Sequence, residues 1–89
     1  MSHERDLADQ DVEEVAEELW TLGEQGSDRL SDLRDTTRVA GLLDALEELA
    51  RRGLVQLDGE RVHLTPQGRE LAARQVRRHR LAEALFTTV

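Results

Sequence analysis

"LVQLDGERVHLTPQGRE", residues 54–70, changes its periodicity twice within one short stretch. Two β-rich runs flank Asp58-Gly59, and Asp-Gly between such runs is a strong hairpin signal. "TPQGRE" then restarts a helix: Thr65 is a natural cap and Pro66 suits the first helical position, where no backbone donor is needed. Gly68 is a weak spot in that first turn. The helix is predicted to run through Leu71, Ala72, Val76 and Leu81 to about Phe86.

Upstream of the hairpin the apolar residues recur with helical spacing. Val39, Leu42, Leu43, Leu46, Leu49 and Ala50 predict a helix from Arg38 to Arg52, with Thr37 as its cap and Gly53 as its left-handed C-terminal residue. Arg51 and Arg52 complement the dipole at its end. A shorter helix before it has Ser31 as N-cap and Leu33 turned inward. Val12, Val15, Ala16, Leu19 and Leu22 form the stripe of a first helix that opens at Asp9 or Asp11 and ends near Gly23. "GEQGSDR" is a loop. The order helix, helix, helix, hairpin, long helix defines a mainly α, winged helix-turn-helix fold. Residues 1–8 are expected to be a disordered lead, residues 9–75 the winged domain, and residues 76–89 the start of a long helix leading to a dimerisation domain that is missing here.

The chain has 89 residues, enough for one small domain. It has no cysteine, which excludes disulfides and thiolate ligation, and Trp20 and Phe86 are its only aromatics. The net charge of −7 conceals a division: residues 1–48 hold 15 acids and 4 arginines, residues 49–89 hold 4 acids and 8 arginines. An acidic domain repels nucleic acid at long range, whereas its basic half can still touch phosphate. No apolar run of about 18 residues exists, so no membrane partner or span is expected. The polar opening "MSHERDLADQ" lacks a signal-peptide core, and a cytoplasmic location is expected. Without cysteine, tyrosine, a phosphate-cradling glycine loop or a nucleophile–base pair, the chain is not expected to be an enzyme.

"RRGLV", "RVHLTPQGRELA" and "VRRHRLAEALFTTV" resemble the diphtheria toxin repressor family of iron- and manganese-responsive regulators. The resemblance is close over residues 49–86 and loose over residues 12–48. It implies the DNA-binding domain of a metal-dependent transcriptional regulator, with double-stranded DNA as partner and a homodimer in the full-length parent. It also implies a metal site at His79 and Glu83, one turn apart on the long helix, joined by Glu14 and Glu17 from the first helix. Side chains at i and i+4 stand about 5–6 Å apart at Cβ and can converge on one ion. Oxygen and imidazole donors suit Fe2+ or Mn2+ in the full-length parent, and so short a fragment need bind none. The matching recognition stretch is "RVAGLLDALEE", which puts Arg38, Gly41 and Asp44 toward DNA; Arg51 and Arg61 are further candidate contacts, Arg61 from the tip of the wing.

Two other readings stay open. In the first, the acidic "LLDALEE" makes the third helix a protein-docking face on a winged module that has lost sequence-specific DNA binding. Leu43 is its anchor if it is exposed while Leu42 and Leu46 are buried. In the second, the chain self-associates through its long helix. The arginines of that helix have a plainer role as a solvated face, with Glu70 pairing Arg74 one turn on.

Overall fold

The computed structural model describes the backbone of residues 2–87 and the side chains of residues 9–78. Within them lie α1 (Ser2–Glu24), α2 (Leu30–Thr36), α3 (Leu42–Arg51), β1 (Val55–Asp58), β2 (Arg61–Leu64) and α4 (Pro66–Thr87). The fold is mainly helical with one two-stranded antiparallel hairpin, in the winged order expected from the sequence. α1 begins upstream of the Asp9 or Asp11 cap predicted for it.

α1 is the spine. Its buried stripe is Val12, Val15, Ala16, Leu19 and Leu22, and it meets Leu33 of α2, then Leu42, Ala45, Leu46 and Leu49 of α3. Val55 and Val62 close the core from the wing, and Ala72 closes it from α4. Each fully buried leucine or valine removes apolar area that stabilises by about 1.5–3 kcal/mol. With almost no aromatic side chains to fill space, this core depends on branched aliphatics.

Two helix starts differ from the sequence reading, and in both a distant group intervenes. The N-cap of α2 is Arg29 rather than Ser31, with no side-chain cap bond. Instead the Leu30 amide donates to the Glu60 carbonyl at 2.7 Å, while Arg29 bridges to Arg61 on the wing. α3 begins at Leu42, with Gly41 as N-cap, rather than at Arg38. The Thr37 hydroxyl donates to Glu18 Oε1 at 2.6 Å, and the Arg38 amide donates to Glu18 Oε2 at 2.9 Å. One carboxylate of α1 thus holds the α2–α3 turn and gives the Arg38 amide an acceptor that a helix starting at Arg38 would not have supplied.

The C-terminal end of α3 follows its sequence signal. Gly53 has φ +74°. Its amide donates to Ala50 O at 3.0 Å, and the Leu54 amide donates to Leu49 O at 2.8 Å. This pair of bonds is the Schellman arrangement that satisfies the last carbonyls of a helix.

The hairpin pairs Val55 with Leu64, Gln56 with His63, Leu57 with Val62 and Asp58 with Arg61. Its two-residue loop is therefore Gly59-Glu60, one residue later than Asp58-Gly59, with Gly59 at φ +60°. At the start of α4 the Thr65 hydroxyl accepts from the Gly68 amide at 3.1 Å and donates to Gly53 O at 2.7 Å. Gly68 is not the weak spot expected: a Cβ there would lie 1.9 Å from the Leu54 carbonyl oxygen. Only glycine allows α4 to sit this close to the entry of the wing. Glu70 and Arg74 form no ion pair, contrary to the i, i+4 expectation.

Candidate interaction surface

The outer face of α3 is set by its helical period. Leu42, Ala45, Leu46 and Leu49 point into the core, which turns Leu43, Asp44 and Glu47 outward. Leu43 is 58% exposed, whereas Leu42 and Leu46 are buried. This meets the condition the sequence set for an apolar anchor. Beside it an open groove of about 430 Å³ is lined by Arg34, Ala40, Gly41, Leu43 and Asp44, among others. On the flank of α3 that meets α1 lies a cleft of about 650 Å³, with Asp11, Asp44, Glu47, Glu48 and Arg51 around an apolar floor of Val12 and Ala45.

The arginines near this surface are engaged by the chain's own acids. Arg51 pairs with Glu48. Arg52 donates through Nε to Glu48 at 3.1 Å and through Nη2 to Asp9 at 2.7 Å. The hydrogen bond from Arg52, reinforced by Arg51, holds the Glu48 carboxyl below its ordinary range. Asp9 in turn raises the Arg52 guanidinium, with Glu48 adding to the effect. On the wing Arg61 Nη1 stands 3.4 Å from Asp28 Oδ2, and His63 Nε2 lies 3.6 Å from the same oxygen.

Of the candidate DNA contacts, Gly41, Asp44 and Arg51 line the cleft between α1 and α3, while Arg38 and Arg61 lie outside it. Arg38 is exposed in the turn before α3, with its amide tied to Glu18. Gly41 caps α3 and Asp44 stands in its first turn, while Arg51 lies in its last turn. Arg61 is on the wing, beside α2's entry loop rather than beside α3.

Of the candidate metal ligands, only Glu14 and Glu17 have described side chains. Glu14 and Glu17 line a groove with Glu18, Thr21, Thr36 and Arg38. The side chains of His79 and Glu83 lie outside the described residues. Among the described residues no group of three or more histidine, cysteine or acidic side chains could hold a metal ion. Two features of the surface were not anticipated. Leu57, near the tip of the wing, is 45% exposed. Glu18 organises the turn that presents α3, and no short-range motif announces a contact between residues twenty positions apart.

Residues 31–71 match the family model of the HemN C-terminal domain. The matched stretch runs from Ser31 in α2 through α3 and the hairpin to Leu71 in α4, a little under half of the chain. Neither a curated protein nor a solved structure matches the chain. The HemN match overturns the resemblance to the diphtheria toxin repressor family, and with it the reading as a DNA-binding, metal-dependent transcriptional regulator. The physical reason for the misreading lies in the motifs. Gly53 in "RRGLV" is the left-handed end of α3, Thr65 caps α4, and Gly68 permits close packing. Any sequence that builds this junction needs such residues, so they report the fold rather than a family.

HemN-type proteins are enzymes of the radical SAM coproporphyrinogen oxidase type, and the matched model is their C-terminal domain alone, which bears only weakly on the expectation that this chain is not an enzyme. The Fe2+ or Mn2+ regulatory ion falls with the regulator reading, since that enzyme family uses S-adenosylmethionine and an iron–sulfur cluster. Iron–sulfur clusters of this kind are held by cysteine thiolates. This chain has no cysteine and does not fit such a cluster. Among the described residues, no helix is long and apolar enough to cross a membrane.

Proposed function

We propose that this winged helix is a protein-docking domain of the HemN C-terminal type, which seats on the catalytic part of a radical SAM oxidase-type protein and holds none of its redox chemistry. Two things support this reading. The family match is to an enzyme's accessory end, and a chain without cysteine must leave a thiolate-bound cluster to another domain. The observation that carries it is the outward face of α3. In a DNA reader this face meets two phosphate strands and benefits from donors and positive charge. Here it presents Leu43, Asp44 and Glu47. An exposed leucine ringed by polar residues is the composition of a protein contact, where an apolar anchor is buried and its rim stays wet.

The test is a paired titration followed by amide hydrogen exchange. A HemN-type catalytic domain stripped of its own C-terminal domain should slow exchange on α3 and the wing. Leu43→Asp should abolish that protection while leaving the circular dichroism spectrum unchanged. A random-sequence duplex should leave α3 unaltered at physiological salt. Saturable duplex binding with protection centred on Asp44 would overturn the reading.

A further inference from the structure

α4 carries a row of positive charge that no acid among the described residues answers. Arg74, Arg77 and Arg78 are all exposed, and none has an ion-pair partner among the described residues. Their i, i+3, i+4 spacing puts them on one face of the helix, where like charges oppose each other. The nearest acid in sequence, Glu70, does not pair with Arg74. Acids are not scarce elsewhere. Asp11, Asp44 and Glu47 line the cleft between α1 and α3, are exposed, and have no ion-pair partner among the described residues. Both surfaces are built on α1, which packs against α3 and against α4. Within one chain the ridge and the cleft do not meet.

We infer that two copies of this chain associate by seating the Arg74–Arg77–Arg78 ridge of one α4 in the acidic cleft between α1 and α3 of the other. The occupant is a second copy because both halves of the complementarity are on the same molecule, divided as −11 in residues 1–48 and +4 in residues 49–89. A two-fold axis makes the contact twice, ridge to cleft and cleft to ridge, and closes the pair. Arginine suits the role. Its guanidinium forms paired hydrogen bonds with a carboxylate, and its methylene stem covers apolar surface. Val12 and Ala45 on the floor of the cleft supply that apolar surface. Asp44 and Glu47 belong also to the α3 face proposed above for docking, so the two contacts compete for that face, and this inference does not depend on that reading.

The experiment is sedimentation equilibrium on the full chain, first across salt and then across charge. The wild type should sediment as a dimer near 20 mM salt and dissociate at least tenfold more readily near 0.5 M. The screening length shrinks from about 30 Å at 0.01 M to about 3 Å at 1 M. Arg77→Glu with Arg78→Glu should yield a monomer, as should Asp44→Arg with Glu47→Arg, each with an unchanged circular dichroism spectrum. Mixing the two reversed proteins in equal amounts should restore the dimer mass, since each ridge then faces a cleft of opposite sign. The milder pair Arg77→Gln and Arg78→Gln, which is safe for the helix, should weaken association without reversing it. A wild type that stays monomeric at millimolar concentration in low salt would overturn the inference. So would a dimer indifferent to salt and to both reversals, or a mixture that stays monomeric.

Discussion

The junction of α3, the wing and α4 and the outward face of α3 are built on opposite terms. At the junction, residues 53–68 leave little unused. Thr65 both donates and accepts, its amide donates to Leu54 O at 3.0 Å, and Gly68 lies against the same carbonyl. On the face of α3, a leucine and two carboxylates stand exposed, the carboxylates with no ion-pair partner among the described residues. The first region is closed by the fold and the second is open to something beyond it. Residues that a fold requires recur wherever the fold does, so they identify the architecture and mislead about the family. The residues that distinguish one winged helix from another are those the fold leaves unspent.

The largest break in this contrast comes from Gly68→Ala. The new Cβ would stand 1.9 Å from Leu54 O and 3.1 Å from Leu64 Cδ2, and a backbone oxygen cannot rotate away. Either α4 lifts from the wing or the Leu54 carbonyl loses its bond from Thr65. The expected loss is about 3 kcal/mol, at the upper end for overpacking. For a domain of this size it lowers the melting temperature by roughly 12–20 °C. Thermal unfolding followed at 222 nm measures it. A variant within about 2 °C of wild type would show that the junction is looser than its geometry implies. Asp44→Ala on the open face should change the melting temperature hardly at all, and the pair of results sets the two regions apart.

The fold was legible wherever the signal was local. The stripe of α1, the positive φ of Gly53, the two strands of the hairpin and the Thr65 cap appear as read, because each depends on nearby residues. The hairpin loop, however, falls one residue later, and Leu43 and Ala50 of the α3 stripe are exposed. The reading slipped where a distant group took over a local role. Ser31 is a better cap than Arg29 on propensity alone, but the wing's Glu60 carbonyl already holds the first amide of α2. Thr37 looks like the cap of a helix starting at Arg38, yet Glu18 draws both residues out of helix. The candidate site was legible in part. The exposure of Leu43 follows from helical period. The absence of a Glu70–Arg74 pair does not, since solvated side chains at i, i+4 gain only a few tenths of a kcal/mol by meeting.

Glu18 sharpens the comparison at intermediate scale, because it is the strut between closed core and open face. Glu18→Ala removes the acceptors of the Thr37 hydroxyl and the Arg38 amide together. Both donors are near solvent and can recover water, so the expected cost is about 1–2 kcal/mol rather than the full penalty of buried orphans. The more telling readout is local. With the Arg38 amide and the Thr37 hydroxyl released, the 38–41 segment should gain helical character, lengthening α3 toward the boundary its sequence favours. Amide and Cα chemical shifts of Arg38 to Gly41 report this directly. Glu18→Gln, which keeps one oxygen acceptor, should lie between. Unchanged shifts in that segment would mean that the turn is set by its own residues and that Glu18 merely follows.

The smallest expected effect concerns the engaged charges at the foot of α3. Arg52 and then Arg51 hold the Glu48 carboxyl below its usual value of 4.5 in the folded chain. A depressed carboxylate binds fewer protons folded than unfolded, so its contribution to stability is present above pH 4.5 and is lost as the pH falls through its lowered folded value. Glu48→Gln should therefore flatten the acid limb of the stability–pH curve below about pH 4.5 while barely moving the plateau near neutrality. Half a molar salt should erase most of the difference, as expected for exposed pairs. Arg52 adds no slope in this window, since its already high value is raised further and it stays charged throughout. An acid limb that Glu48→Gln leaves unchanged would mean the three charges are mutually solvated rather than paired. Arg51 would then be as free as Arg74, and the line between a spent and an unspent surface would have to be redrawn one turn closer to the core.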